Sequence, residues 1–430
     1  MGSLPGILFL VLGLLVSVGI HELGHMIPAK AFGVKVSQYF IGFGPTLWSV
    51  RRGGTEYGIK AIPLGGFVRI AGMLAPAKPG TSTHKAGRPT LAEEARQESA
   101  SELAPGEEEQ AFWRLPAAKK LVVMFGGPLT NLVLATLLLG VVTAGIGVST
   151  PTTTVGALSP CVGATSAEDC AGKEPSPAAA SELRTGDVIR AWGPTQVSTW
   201  PELSAAIAAG GTSPVAVTIE RDGRAREVVI TPVLIERQAM EGAKPVLGED
   251  GRPLTTTVPY AGISPRFDRQ RLPVTTVPGA SVDMAIATAK IVATLPIQLW
   301  NTASSLVTGE RDATGVVGIV GVADIAGNIT SATADSYTWL DRLADLIMLV
   351  AGLNMSLFIF NLIPLLPLDG GHILAGLIEG TRRLWAKARG SADPGPFDTA
   401  RLLPLSQAVF VALIAMTLLL VVADIVNPVI

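Results

Sequence analysis

His21, Glu22 and His25 stand together in the run His21-Glu22-Leu23-Gly24-His25. Side chains at i and i+4 of an α-helix share one face, so the two imidazoles can grip a single zinc ion. Glu22, one position after the first histidine, can act as general base, taking a proton from water and passing it to a leaving amine. This is the equipment of metal-assisted peptide hydrolysis. The chain contains only four histidines, which makes such a pairing by chance rare.

A catalytic zinc takes three protein ligands and keeps a further position open. The candidates for the third ligand are His84, His372 and the acids. His84 lies in an acidic, Ala- and Pro-rich stretch. His372 follows Asn361-Leu362-Ile363-Pro364-Leu365-Leu366-Pro367-Leu368-Asp369-Gly370-Gly371, where prolines and glycines bend the chain at the end of an apolar stretch. Carboxylate oxygen suits zinc, which favours Asp369. Asp369 could also cap the following helix, whose first turn would begin near His372.

The elements that must position these groups are membrane elements. Of the 430 residues, 48% are hydrophobic and 16% charged, against roughly 25% charged in an ordinary soluble domain. Four stretches are apolar for long enough to cross a hydrocarbon core, which takes about 20 helical residues: Leu4 to Ile20, Leu121 to Ser149, Leu346 to Leu368, and Leu402 to Ala423. The expectation is a mainly α membrane protein with four transmembrane helices. The first stretch lacks a basic flank and a small-residue cleavage site and leads straight into His21, so it is read as part of the working protein rather than a signal peptide.

Orientation follows from Lys and Arg, which are retained on the cytoplasmic side. Lys30, Arg51, Arg52, Lys60, Arg114, Lys119 and Lys120 fall between the first two stretches, and Arg382, Arg383, Lys387, Arg389 and Arg401 between the last two. Those loops are expected in the cytoplasm, with both termini and the segment from about Thr150 to Arg342 outside. Cys161 and Cys170 both lie in the outer segment, where an oxidising compartment suits a disulfide. With 33 basic against 35 acidic residues and no basic run interleaved with aromatics, no nucleic-acid partner is expected, and the lipid bilayer is.

Within the outer segment, Leu183 to Ile189, a helix over Trp200 to Ala209, and strands Val215 to Arg221 and Arg226 to Thr231 joined at Asp222-Gly223 outline an α+β domain over 150–235. This order resembles a bacterial PDZ domain. Residues 236–342 read as periphery and linker, with Thr255 to Ser264 as a returning strand and Ala280 to Thr308 as an amphipathic helix on the outer membrane face. Residues 75–118 read as a disordered cytoplasmic loop. The rest divides into a first helix with its appended β-segment (1–74), a second helix (119–149), a third with the Asp369 motif (343–371), a cytoplasmic loop (372–401) and a fourth helix (402–430).

HELGH on an N-terminal helix, a PDZ-like insert between the second and third helices, and NLIPLLPLDGG before the last one together resemble the site-2 proteases, specifically the bacterial RseP-type group. The resemblance spans nearly the whole chain. It implies that His21, His25 and Asp369 ligate one zinc ion, that Glu22 is the catalytic base, and that Asn361 contacts the substrate backbone or the developing oxyanion. Val34 to Ile70, with the Gly53-Gly54 turn, Gly42-Phe43-Gly44 and Gly65-Gly66, resembles the family's re-entrant β-hairpin, whose edge would hold an unwound substrate as an added strand. Phe125-Gly126-Gly127-Pro128-Leu129-Thr130-Asn131 is similar to the family's glycine-rich entry into the second span, with Asn131 as an interhelical hydrogen bond.

The chain departs from the best-known pattern in carrying a single PDZ-like unit and in having Ser356 where relatives show another polar residue. Its composition would suit an actinobacterial member. The resemblance implies a substrate that is a single-pass membrane protein, such as an anti-sigma factor already trimmed by an upstream site-1 protease, or a remnant signal peptide. The rival readings are a membrane zinc transporter or metal sensor using the same ligands, and a PDZ scaffold with a dead site. Transport needs polar groups along a path through the membrane, whereas here they gather at one face, and a binding-only site has no need of Glu22.

Overall fold

In the computed structural model the described residues are all those outside 1–2, 79, 86–87, 164–169, 239, 242–243, 246–253, 310, 312–314, 333–336 and 429–430. The chain divides into two compact units, residues 1–146 with 273–430, and residues 147–272. In chain order the first unit begins with α1 (Leu4–Ala31), strands β1 (Val36–Arg52) and β2 (Thr55–Ile70), α2 (Leu91–Ser101) and α3 (Ala117–Gly140). Helix α4 (Trp200–Ala209) belongs to the second unit. The first unit resumes with α5 (Val277–Ala293), α6 (Leu295–Thr308), α7 (Ile319–Ser331), α8 (Trp339–Asn361), α9 (Asp369–Ala388) and α10 (Leu403–Val426).

Four described helical segments are long and apolar enough to cross a membrane: Leu4–Ala31, Ala117–Ile146, Trp339–Asn361 and Thr399–Val426. Their packing follows membrane rather than water logic. On α1 the buried residues include Gly6, Ser17, Gly19 and Gly24, while Leu4, Leu8, Leu12 and Val16 point outward. Without a hydrophobic drive between helices in lipid, small residues set close approach. A Cβ at Gly24 or at Gly126 would overlap the backbone of the facing helix, so α1 and α3 touch backbone to backbone there. Ser17 Oγ accepts a 2.8 Å hydrogen bond from Asn354 Nδ2 and thereby ties α1 to α8.

Strands β1 and β2 form one antiparallel hairpin, from Val36 opposite Ile70 to Arg52 opposite Thr55. The Gly53-Gly54 turn has φ of 55° and 76°, a conformation that costs glycine nothing. Register shifts interrupt the ladder where Gly42 and Gly44 occur. Leu47, Trp48, Val50 and Ile59 are exposed on the distal half.

Residues 75–118, expected to be disordered, include ordered structure among their described members. Thr90 caps α2, and the buried Arg96 donates two 2.8 Å hydrogen bonds to the Asp398 carboxylate. Phe112 and Leu115 join Met26, Val36 and Ile70 in one apolar cluster. Composition favoured disorder because Ala75 to Gln110 is acidic, rich in Ala and Pro and almost without aromatics, but two apolar anchors and one buried ion pair dock the segment on the rest of the unit.

Other boundaries also differ from expectation. The third span runs Trp339–Asn361, opening at a capping box between Thr338 and Asp341, and stops before the prolines, so residues 362–368 are a loop rather than helix. The helix expected over Ala280 to Thr308 is broken at Thr294 into α5 and α6, whose axes differ by 59°. Pro296, lacking an N–H, begins a new helix there instead of continuing the old one. Helix α7 occupies part of the expected linker.

The second unit is built on a sheet of strand order Ile263–Gln270, Val148–Leu158, Val188–Trp192, Val215–Arg221, Arg224–Ile230, with Thr195–Gln196 paired to Val188–Trp192. Val155, Ile189, Trp192, Leu203, Val217, Ile219 and Ile230 form its core. Helix α4 has the predicted bounds and starts at a Thr199/Glu202 capping box. Asp222, at φ 53°, makes the predicted hairpin turn. The unit extends past residue 235, because Ile263–Gln270 pairs with Val148–Leu158 and Thr255–Tyr260 with Val233–Gln238; residues up to 272 are sheet-bearing domain and not linker. Cys161 and Cys170 are bridged.

Candidate metal centre

Helix α1 carries His21 and His25 on one face, with ring centroids 4.9 Å apart and planes near perpendicular. Their Nε2 atoms are 3.2 Å apart. Asp369, the first residue of α9, brings its Oδ2 to 3.3 Å from both. The three ligand atoms lie within 4.8 Å of one another, the one such cluster of His, Cys, Asp or Glu among the described residues.

The glycines after Asp369 explain how the carboxylate reaches this point. A Cβ on Gly370 would collide with the backbone of Leu362 and Ile363, and one on Gly371 with the backbone of Leu365 and Leu366. Only glycine lets residues 362–366 fold back against the start of α9, which sets Asp369 beside α1. The helix begins at Asp369 with Leu368 at the cap position, so the alternative role of Asp369 as a cap to a helix starting near His372 is not what is observed.

Helix α3 supports the histidines from behind. His25 Nδ1 lies 2.8 Å from the Val123 carbonyl oxygen and His21 Nδ1 3.1 Å from Asn131 Nδ2. A carbonyl can only accept, so His25 carries its proton on Nδ1 and turns the lone pair of Nε2 toward Asp369. Gly127 sits so close that a Cβ there would strike His25 Nε2 itself. Glu22, next to His21 on α1, is half-buried.

The donor set fits a zinc ion. Asp369 Oδ2 is buried and makes no properly directed hydrogen bond, although it faces two imidazole nitrogens. Lone pairs crowded at 3.2–3.3 Å are costly unless a proton or a cation lies between them. Ligands about 2.0–2.2 Å from a tetrahedral zinc are separated by roughly 3.3–3.5 Å. Two imidazoles and one carboxylate are also a familiar ligand set for catalytic zinc.

Of the other predicted site residues, Gly42, Gly44 and Gly65 all have φ between 84° and 92°, which only glycine adopts freely. Phe43 stacks near Phe67 with centroids 6.2 Å apart, and a Cβ on Gly65 would meet the Phe43 ring. Gly66 lies opposite Ile41 and against Val18 of α1. Asn361 closes α8, half-buried, with no hydrogen bond to His21, His25 or Asp369. His84 is exposed in a short strand, and His372 sits one turn into α9, outside the three-atom cluster. The interhelical hydrogen bond expected of Asn131 is present, and its partner, not specified by the sequence, is His21. A buried polar side chain one turn beyond Gly127, in a span that must cross lipid, was the available signal.

A HExxH helix closed by a carboxylate from a distant helix, set among apolar spans, defines a membrane-embedded zinc metallopeptidase. The chain belongs to peptidase family M50, the site-2 protease family, whose description it matches over residues 9–392. It is 34% identical to zinc metalloprotease Rip1 of Mycobacterium tuberculosis (strain ATCC 25618 / H37Rv) over 436 residues, covering 99% of this chain and 98% of the relative. To Rip1 of Mycolicibacterium smegmatis it is 34% identical over 439 residues, covering 98% of each. Metalloprotease MmpA of Caulobacter vibrioides is 30% identical over 389 residues, covering 89% and 88%. The protein is thus a multi-pass membrane zinc metalloprotease of site-2 type acting on membrane-protein substrates in the bilayer. The mycobacterial relatives agree with the actinobacterial composition, and the transporter or sensor alternative finds no support.

Proposed function

We propose that the chain cuts peptide bonds within or at the edge of transmembrane segments of single-pass membrane proteins already trimmed on their outer side. His21, His25 and Asp369 hold the zinc, and Glu22 is the base. The observation that carries this reading is the convergence of His21 Nε2, His25 Nε2 and Asp369 Oδ2 at 3.2–3.3 Å, on the helix that carries Glu22. When bound, zinc supplies Lewis acidity to the attacking water and the scissile carbonyl. Glu22 takes the proton of that water and returns it to the amine that leaves. Strand β2 packs on α1 where Gly66 meets Val18, one turn before Glu22.

A transmembrane helix must be opened before its peptide bond can be attacked, because its carbonyls are occupied by intrahelical hydrogen bonds. The β1–β2 hairpin supports a re-entrant reading: its exposed Phe43, Leu47, Trp48 and Ile59 suit lipid, and the backbone at Gly42, Phe43, Gly44, Gly65 and Gly66 suits pairing with an extended substrate. Asn361 is proposed as a polar contact to that backbone. The sheet and capped helix of residues 147–272 support a PDZ-like domain that selects trimmed substrates. With Lys and Arg as guide, this unit and both termini are placed outside the cytoplasm and the metal site near its inner face.

By family resemblance the substrate is an anti-sigma factor and the prior cut is made by a site-1 protease. The test is incubation of the detergent-purified protein with a single-pass segment, with and without its outer domain, and mass measurement of the products. Cleavage inside the apolar stretch of the trimmed form alone is expected. Equal cleavage of both forms, or cuts confined to the soluble part, would overturn the trimming requirement or the intramembrane site.

A further inference from the structure

Asn131 is fully buried in a membrane-spanning helix, with its side-chain oxygen unpartnered and its nitrogen 3.1 Å from His21 Nδ1. A buried amide in lipid is costly unless it does something, and one with half its capacity unused needs a reason. The arrangement around it supplies one. The two site histidines receive support from the same helix at the same ring atom, His25 from the Val123 carbonyl and His21 from Asn131. The carbonyl admits only one tautomer of His25. An amide admits either tautomer of His21, because a half-turn exchanges its oxygen and nitrogen without a change of shape.

With the nitrogen toward Nδ1, His21 must accept there and carry its proton on Nε2. That proton points at His25 Nε2 and Asp369 Oδ2, 3.2 and 3.3 Å away, and fills the space a metal needs. With the oxygen toward Nδ1, His21 donates from Nδ1, and its Nε2 lone pair joins the other two.

We propose that Asn131 is the positioning residue of His21: its side-chain oxygen accepts the Nδ1–H and so fixes the metal-binding tautomer, as the Val123 carbonyl does for His25. Turning the amide exchanges a proton-holding site for a zinc-holding one. The neighbouring Thr130, whose Oγ1 lies 3.2 Å from the Ile20 carbonyl of α1, keeps this turn of α3 in register with His21. The proposal rests on reading His21, His25 and Asp369 as the zinc ligands.

The test compares zinc affinity, by chelator competition in detergent, for wild type, Asn131→Leu, Asn131→Asp and Asp369→Ala, alongside unfolding of each protein stripped of metal. Leucine keeps the volume but cannot accept, and zinc binding should weaken about 10–100-fold. Aspartate can only accept, and should bind zinc close to wild type although it breaks the amide. A purely structural hydrogen bond predicts otherwise: both variants would lower metal-free stability, and neither would change zinc affinity selectively. If Asn131→Leu binds like wild type while Asp369→Ala loses zinc, the Asn131 proposal fails and the ligand set stands. If Asp369→Ala binds like wild type, the ligand set fails and the proposal with it.

Discussion

Gly127 of α3 lies against the Nε2 edge of His25 with no space for a methyl group between them. The position of the proposed ligand atom on α1 is therefore shaped by a missing side chain in α3. Gly24 and Gly126 make the same point for the backbones, each occupying the place a Cβ on the other would need.

Gly127→Ala should push His25 off its position while leaving both helices intact. Zinc affinity measured by chelator competition should fall by roughly tenfold or more, as when metal-ligand support is lost. Unchanged affinity would mean that the ring has room to retreat.

Lys120 and Glu379 form a buried pair at 2.8 Å between α3 and α9, and Glu379 also meets Arg383 at 3.1 Å and accepts from Phe397 N–H. Removing one member of a buried pair costs about 3–5 kcal/mol, whereas apolar replacement of both can be neutral. Glu379→Leu strands two cations and should destabilise more than Lys120→Met, which leaves the carboxylate with Arg383. The double variant should recover part of the loss. Denaturant unfolding in detergent checks the order of the three.

Asp187 and Arg221 fasten the second unit, with bonds of 2.7 and 2.6 Å, and the Arg184 amide adds a third to the carboxylate. Burial alone would raise the Asp187 carboxyl, but the Arg221 hydrogen bonds and the Arg184 amide outweigh it and hold it below its ordinary value. A carboxyl lowered by folding stabilises fully above its unfolded pKa, about 3.9, and loses that contribution as pH falls through the folded value. Protection factors for amide exchange in Val188–Trp192 and Val215–Arg221, taken against the unfolded-chain rate at each pH, should therefore fall below about pH 4. Asp187→Asn should already show lower protection at pH 7, and its protection should change less with acid.

Cys161 and Cys170 are bridged with Cα atoms 5.7 Å apart. Closing so short a loop contributes about 2–3 kcal/mol by chain entropy. Neither cysteine should react with a maleimide before reduction. After reduction both should react, with a matching loss of stability in the second unit.

What the sequence made legible were the parts governed by local rules. HELGH has one helical geometry, Asp222-Gly223 one turn, and Trp200 to Ala209 one helical pattern, so the paired histidines and much of the second unit could be placed before folding was considered. Asp369 was legible because a carboxylate beside two glycines in an apolar chain has few structural uses. Tertiary pairings were not. Residues 75–118 looked disordered because their composition does not show that Arg96 would find Asp398, about three hundred positions away. The end of the second unit was misplaced because Ile263–Gln270 pairs with a strand more than a hundred residues earlier. The interhelical hydrogen bond of Asn131 was legible, but its partner His21 was not, because no local pattern points an amide at that residue.

The most direct measurement of the central claim compares Glu22→Gln with Asp369→Ala, reading cleavage of a trimmed transmembrane segment and bound zinc in the same preparations. Glu22→Gln should retain one zinc and lose cleavage by at least about a hundredfold, while Asp369→Ala should lose both. Cleavage by Glu22→Gln at the wild-type rate, or full zinc retention by Asp369→Ala, would contradict it.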